Sequence, residues 1–273
     1  LKTNAEAATG SREAAEKALA LDPDYALAHG LLGWGAMTYD NDLAAAARHY
    51  EHALALAPAD PDLLRNAAVL LRNLGRLDDA IALMETVVAR DPLSVTTHFN
   101  LGICRISAKR FDAAMDSYRT VLNLSPGRGG AHYGLGLALL LKGDAAGARA
   151  EMQQETSEPH RMQGLPIADF ALGRKAASDQ GLAAFIAKYE KDWSYNIATM
   201  YAFRGEDDRA FEWLDKALRY ADPGLIDSVT DRLLDPIRSD PRWLPLLRRI
   251  GRAPEQLAGI RFKPTPPAAA PGR

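Results

Sequence analysis

Along this chain, apolar and small residues fall into short blocks with helical spacing, each closed by a glycine or a proline. In the block from 61 to 92, Leu64, Ala67, Ala68 and Leu71 share one helix face, and Ala80, Leu83, Met84 and Val87 line a second. Gly75 stands between them, where glycine alone enters a left-handed helix cap without steric cost. Pro92 has no backbone N–H to donate and ends the second helix. Asp24, Asp60 and Ser94, each beside a proline, are placed to cap the helix that follows. The stretch ALDPDYALAHGLLGWG (20–35) therefore reads as punctuation between two helical hairpins.

The blocks repeat. Pro23, Pro58, Pro92 and Pro126 are 35, 34 and 34 residues apart. Ala46, Ala80, Ala114 and Ala148 keep a spacing of 34, and so do the larger residues four places on, Tyr50, Met84, Tyr118 and Met152. Agreement of three registers marks an internal repeat, hence an array of similar units that bury their apolar faces against their neighbours.

On these residues the sequence resembles the tetratricopeptide repeat family. The large–small pairs expected at the seventh and eighth positions read Leu32-Gly33, Ala67-Ala68, Leu101-Gly102 and Leu135-Gly136, and the family proline falls on Pro58, Pro92 and Pro126. The resemblance implies an all-α fold, a right-handed superhelical solenoid of antiparallel helix pairs. It would hold about six repeats, near 26–58, 61–92, 95–126, 129–159, 160–190 and 191–223. Residues 1–25 match a truncated repeat or N-terminal helix. The fifth repeat rests on Gly173, Ser178, Leu182 and Phe185, and Pro166 is expected to distort its first helix or shift its start. Residues 224–262 leave the repeat, and Trp243, Leu246, Leu247 and Ile250 suggest a capping helix over the last apolar face. The tail 263–273, with four prolines in KPTPPAAAPGR, is expected to be disordered.

Composition narrows the function classes. A formal net charge of −2 favours neither nucleic acid nor an acidic partner. Residues 232–263 carry eight Lys/Arg against three acids, read as a solvated cap face. The single cysteine, Cys104, excludes an internal disulfide and sits in an apolar helix as a small core residue. No apolar run approaches the ~20 residues of a membrane span. The expected location is cytoplasmic, or periplasmic if a membrane helix precedes this segment. The chain begins at Leu1 without an initiator methionine, which reads as a cut from a longer polypeptide.

No enzyme site is expected. The histidines His29, His98 and His132 share one repeat position and read as packing residues, and the pair His49 and His52 lacks the further ligands of a metal site. The glycines of SPGRGGAHYGLG follow a helix and a proline, unlike a phosphate loop, which follows a strand. Asp78, Asp79, Asp207 and Asp208 open second helices, where negative charge favours the helix dipole. No catalytic residue, cofactor or metal is assigned.

What remains is a binding surface. The family resemblance implies a concave groove lined by the first helices. Its positions carry Trp34, Arg65, Asn66, Arg72, Phe99, Asn100, Tyr133, Tyr195 and Asn196. Asparagine offers both an acceptor and two donors, so Asn66, Asn100 and Asn196 could grip a peptide backbone regardless of sequence. Arg65 and Arg72 would favour an acidic ligand. The carboxylate clamp of chaperone-binding relatives is absent, since only Asn66 of its five positions matches. The expected function is non-catalytic protein–protein interaction, with a protein or peptide partner in the groove. The alternative rests on SDPRWLPLLRRIGRAPEQLAGIRF, which is similar to the closing segment of bacterial repeat regions attached to nucleotide cyclase, winged-helix regulator or protein kinase domains. There, this chain would be the regulatory or assembly region of an effector domain that it does not contain.

Overall fold

The computed structural model describes residues 4–264, and the described residues are all helix, turn and loop. The chain forms two compact units, one made of Leu1–Pro92 with Leu246–Arg273 and the other of Leu93–Pro245. Most of the tail expected to be disordered, residues 265–273, lies outside the described residues, as do residues 1–3.

The first unit opens with α1 (Asn4–Leu21), followed by the pair α2 (Ala26–Thr38) and α3 (Leu43–Leu56) and the pair α4 (Pro61–Asn73) and α5 (Leu77–Arg90). Asp60 caps α4 by accepting from the N–H groups of Asp62 and Leu63, both at 2.9 Å. Asp24 does not cap: Tyr25 holds the N-cap position of α2 without a side-chain bond. The turn between α4 and α5 is closed by Gly75 at φ 76°. In the equivalent turn of the preceding pair the left-handed residue is Asn41, at φ 56°.

The second unit holds four pairs. They are α6 (Val95–Ser107) with α7 (Phe111–Leu124), α8 (Ala131–Leu141) with α9 (Ala145–Gln154), α10 (Glu158–Ala171) with α11 (Lys175–Tyr189), and α12 (Ser194–Phe203) with α13 (Asp207–Arg219). Pro166 lies inside α10 and is buried there without ending the helix. Two features of α11 accommodate it. Ser178 donates to the Pro166 carbonyl at 2.7 Å, and Gly181 leaves room for the ring, since a Cβ there would lie 2.6 Å from Pro166 Cγ. After α13 come two 3₁₀ turns, Pro223–Asp227 and Arg232–Ile237, where Pro223, Gly224 and Pro236 disfavour a continuous helix. The short helices α14 (Trp243–Arg249) and α15 (Pro254–Ala258) follow.

Three pairs close by setting a bulky side chain of the second helix into a gap in the first. The buried Tyr50 ring lies against Gly33, where a Cβ would come within 3.1 Å. Tyr118 occupies the space of two glycines, one on its own pair's first helix (Gly102) and one on the next (Gly134). Met152 does the same with Gly136 and Gly164. The first helices of neighbouring pairs also touch, α6 with α8, α8 with α10 and α10 with α12, so their outer sides form one wall.

The glycines make a paired prediction. A methyl at Gly136 would lie 2.9 Å from the Ala148 carbonyl oxygen, a backbone atom that moves only if α9 moves, whereas Gly35 in α2 has nothing within 4 Å of its would-be Cβ. Gly136→Ala is expected to lose ~1–3 kcal/mol by overpacking. Gly35→Ala is expected to gain ~0.5–1 kcal/mol from helix propensity. Urea unfolding of both variants checks the contrast.

Candidate protein-binding face

Trp34, on α2, belongs to an exposed apolar stripe: its surface is 36% accessible, that of Leu27 44% and that of Leu31 52%. Arg65 and Asn66 are half-buried on α4. The Arg65 guanidinium is held by Asp62 one turn earlier, at 2.6 Å. Arg72 is buried at the end of the same helix, 7% accessible. The cationic character expected from these two arginines is thus largely withdrawn from the surface. Asn66 makes no side-chain hydrogen bond among the described residues, and Asn100 on α6 is in the same state.

In the second unit, Phe99 is half-buried under the Arg128 guanidinium, 4.7 Å from its ring centre. Tyr133 is half-buried on α8, and Asn196 on α12 donates to Gln163 of α10 at 3.1 Å. Gln163, itself buried, also donates to Thr199 at 3.4 Å. The asparagine of the sixth pair is therefore engaged between two first helices, unlike Asn66 and Asn100. Tyr195 is buried, 3% accessible, and what covers it is the chain's own C-terminal segment.

That segment binds by side chains. The Tyr195 hydroxyl donates to Asp231 at 3.0 Å, and the Tyr195 N–H donates to Asp222 at 2.9 Å. Asp235 pairs with Lys109, at the end of α6, at 3.2 Å. Leu225, Leu233, Leu234 and Ile237 are buried, and both 3₁₀ turns pack on α12. In the first unit the later part of the same stretch makes comparable contacts with hairpin turns. Asn41 donates to the Ile250 carbonyl and accepts from Arg252, while Arg76 donates to the Phe262 carbonyl.

The basic bias of 232–263 is largely satisfied within the chain. Arg238 pairs with Asp235 at 2.8 Å, Arg242 with Asp208 at 2.8 Å and Arg248 with Glu255 at 2.8 Å. The segment's acids carry the electrostatic strain. Burial, reinforced by Asp227, pushes the Asp231 carboxyl up to about 6, against the bonds from the Leu233 N–H and Tyr195 and the charge of Arg238. Burial also raises Asp222 despite three backbone N–H bonds, and it lifts the hydroxyls of Tyr133 and Tyr195 far above the ordinary tyrosine range.

Other candidate chemistry has structural explanations. Glu155, fully buried, accepts from the N–H groups of Gly130 and Tyr133 at 2.9 Å each, so the start of α8 is occupied by a carboxylate where a phosphate loop would offer free donors. His29 contacts His49 (Nδ1 to Nδ1, 3.4 Å) and stacks edge-on with His52 at 4.2 Å, joining three histidines that the sequence separates. Among the described residues no group of three or more His, Cys, Asp or Glu is arranged to hold a metal. No described helix is long and apolar enough to cross a membrane.

Reading the sequence alone missed Lys109, Gln163, Asp222, Asp231 and Asp235. The one available signal was the recurrence of acids at 227, 231 and 235, just after the last repeat.

Comparison with known proteins agrees with this geometry. Residues 38–96 match one tetratricopeptide repeat model and residues 95–128 match another. Among solved structures, the chain is similar to PilW, described as a widely conserved type IV pilus biogenesis factor, with TM-score 0.58 and 21% identity over 68% of this chain and 86% of that one. It is similar to a thermophilic tetratricopeptide repeat protein of Thermus thermophilus, with TM-score 0.53 and 22% identity over 71% and 97%. It also matches the Cut9–Hcn1 hetero-tetramer of the APC/C, with TM-score 0.61 and 16% identity over 84% of this chain and 46% of that one. At such identities the likeness is one of fold.

The raised Asp231 carboxyl makes segment docking pH-dependent. An acid whose folded pKa lies above its ordinary value of 3.8 favours its protonated form, so its contribution is complete at low pH and is lost as pH rises through about 6. Amide protection across 225–237, corrected for intrinsic exchange, is expected to fall about tenfold or more between pH 5 and 7.5. Asp231→Asn should flatten most of that step, leaving the smaller part due to Asp222. Equal protection at both pH values would refute this.

Proposed function

Because this chain is a tetratricopeptide repeat protein, we propose that it is a non-catalytic protein–protein interaction module that takes up an extended partner segment along the concave side of its first helices. In one unit the contacts would be Trp34, Arg65, Asn66 and Arg72. In the other they would be Phe99, Asn100, Tyr133, Tyr195 and Asn196. Repeat arrays of this kind present extended surfaces well suited to such ligands.

One observation carries the reading. Residues 222–237 already lie on the wall of the second unit, as two 3₁₀ turns and their link held by Tyr195, Lys109 and apolar contacts. The wall therefore has the chemistry to hold a segment without an α-helix of its own. Asn100, half-buried and with its side-chain amide not committed elsewhere among the described residues, extends that capacity to a partner's backbone, which always offers both a donor and an acceptor, and Asn66 offers the same on the first unit.

The test is affinity capture with the whole chain as bait, beside a bait carrying Asn66→Ala and Asn100→Ala, followed by calorimetric titration of the captured partner. Two hydrogen bonds at ~0.5–1.5 kcal/mol each predict a loss of about 10-fold or more. An unchanged dissociation constant would remove the backbone grip and place the contact on another face.

A further inference from the structure

We propose that residues 222–237 are a displaceable internal ligand, and that the competing partner segment carries the same chemistry: two carboxylates four residues apart flanking a pair of apolar side chains. This rests on the peptide-binding reading above and names the class of segment the wall selects.

The geometry defines the pattern. Asp231 accepts from the Tyr195 hydroxyl at 3.0 Å, and Asp235 meets the Lys109 ammonium at 3.2 Å. Between them Leu233 and Leu234 are buried at 2% and 0% accessibility, and Ile237 completes the apolar contact. The sequence Asp-Arg-Leu-Leu-Asp-Pro-Ile folds into one 3₁₀ turn, which places both acids toward their partners.

Two features make this ligand replaceable. No strand or helix ladder ties the segment down, and its polar contacts with the wall are side-chain ones: Asp222 with the N–H groups at the start of α12, Asp231 with the Tyr195 hydroxyl and Asp235 with Lys109. Asp235 is also shared, with Arg238 at 2.8 Å and Arg232 at 3.4 Å. A partner acid lacking those neighbouring arginines would give Lys109, whose side chain is 59% accessible, an undivided counter-charge. Such a partner binds more strongly at the one position where the internal ligand is weakest.

The experiment uses the full chain and a fluorescent peptide with the sequence of residues 222–237, DPGLIDSVTDRLLDPI. In the chain carrying Asp231→Ala and Asp235→Ala, the internal ligand is weakened and the wall is intact. That variant is expected to bind the peptide at least 10-fold more tightly than the unmodified chain. Adding Lys109→Glu should reverse the gain, and a peptide with its second acid, the equivalent of Asp235, as Asn should bind about 3-fold more weakly. A second readout needs no substitution: excess isotope-labelled peptide should accelerate amide exchange of the chain's own 222–237.

Equal peptide affinity for variant and unmodified chain, with no acceleration of exchange, overturns displacement and leaves peptide binding standing. Equal binding of the Asp and Asn peptides overturns the partner chemistry. Absence of binding to either chain, with helical circular dichroism retained, overturns both this inference and the peptide-binding function.

Discussion

Close approach of helices through missing side chains is the constraint on which the structure depends. Tyr118 and Met152 each need a space that glycines on two first helices leave open, so each bridges two first helices at once, and Tyr50 packs tightly against Gly33. That bridging holds the first helices of the second unit side by side and makes their outer sides a wall. A bulky core residue thus sets the surface on the far side of the helix it touches. Packing of this density tolerates little added volume, so the wall is a rigid platform.

The repeat was legible because its signals are local. Proline, glycine and small–large pairs act within a turn or between adjacent helices, so spacing along the chain is enough to place Gly75, Pro92 and the helix pairs. Where a feature depended on a competing local geometry, the sequence reading slipped. Asp24 lies two residues before α2 and leaves the cap position to Tyr25. Pro166 stays inside α10 because Ser178 and Gly181 of the following helix, invisible to any local rule, accommodate it.

The candidate binding face was only partly legible. Positions such as Tyr195 and Asn196 follow from register, but their surroundings do not. Tyr195 is covered by an acid 36 residues later, and Lys109 meets an acid from far beyond the repeats. Such contacts leave no periodic trace, since a segment held by side chains in 3₁₀ turns needs neither heptads nor alternation. The arginines suggested by position are paired or buried, and the cation that meets the C-terminal segment, Lys109, comes from a turn.

The buried carboxylates at the helix starts also have a bearing on how the second unit comes apart. Glu155 holds the N–H groups of Gly130 and Tyr133, 25 and 22 residues earlier, and Asp222 holds Tyr195, 27 residues earlier. Each acid sits beyond the second helix of the pair whose first helix it caps. Fraying at the end of α9 therefore frees donors at the start of α8, and the two helices of that pair lose order together. A hairpin laced at its open end in this way has no independent half: neither α8 nor α9 keeps its ends satisfied without the other.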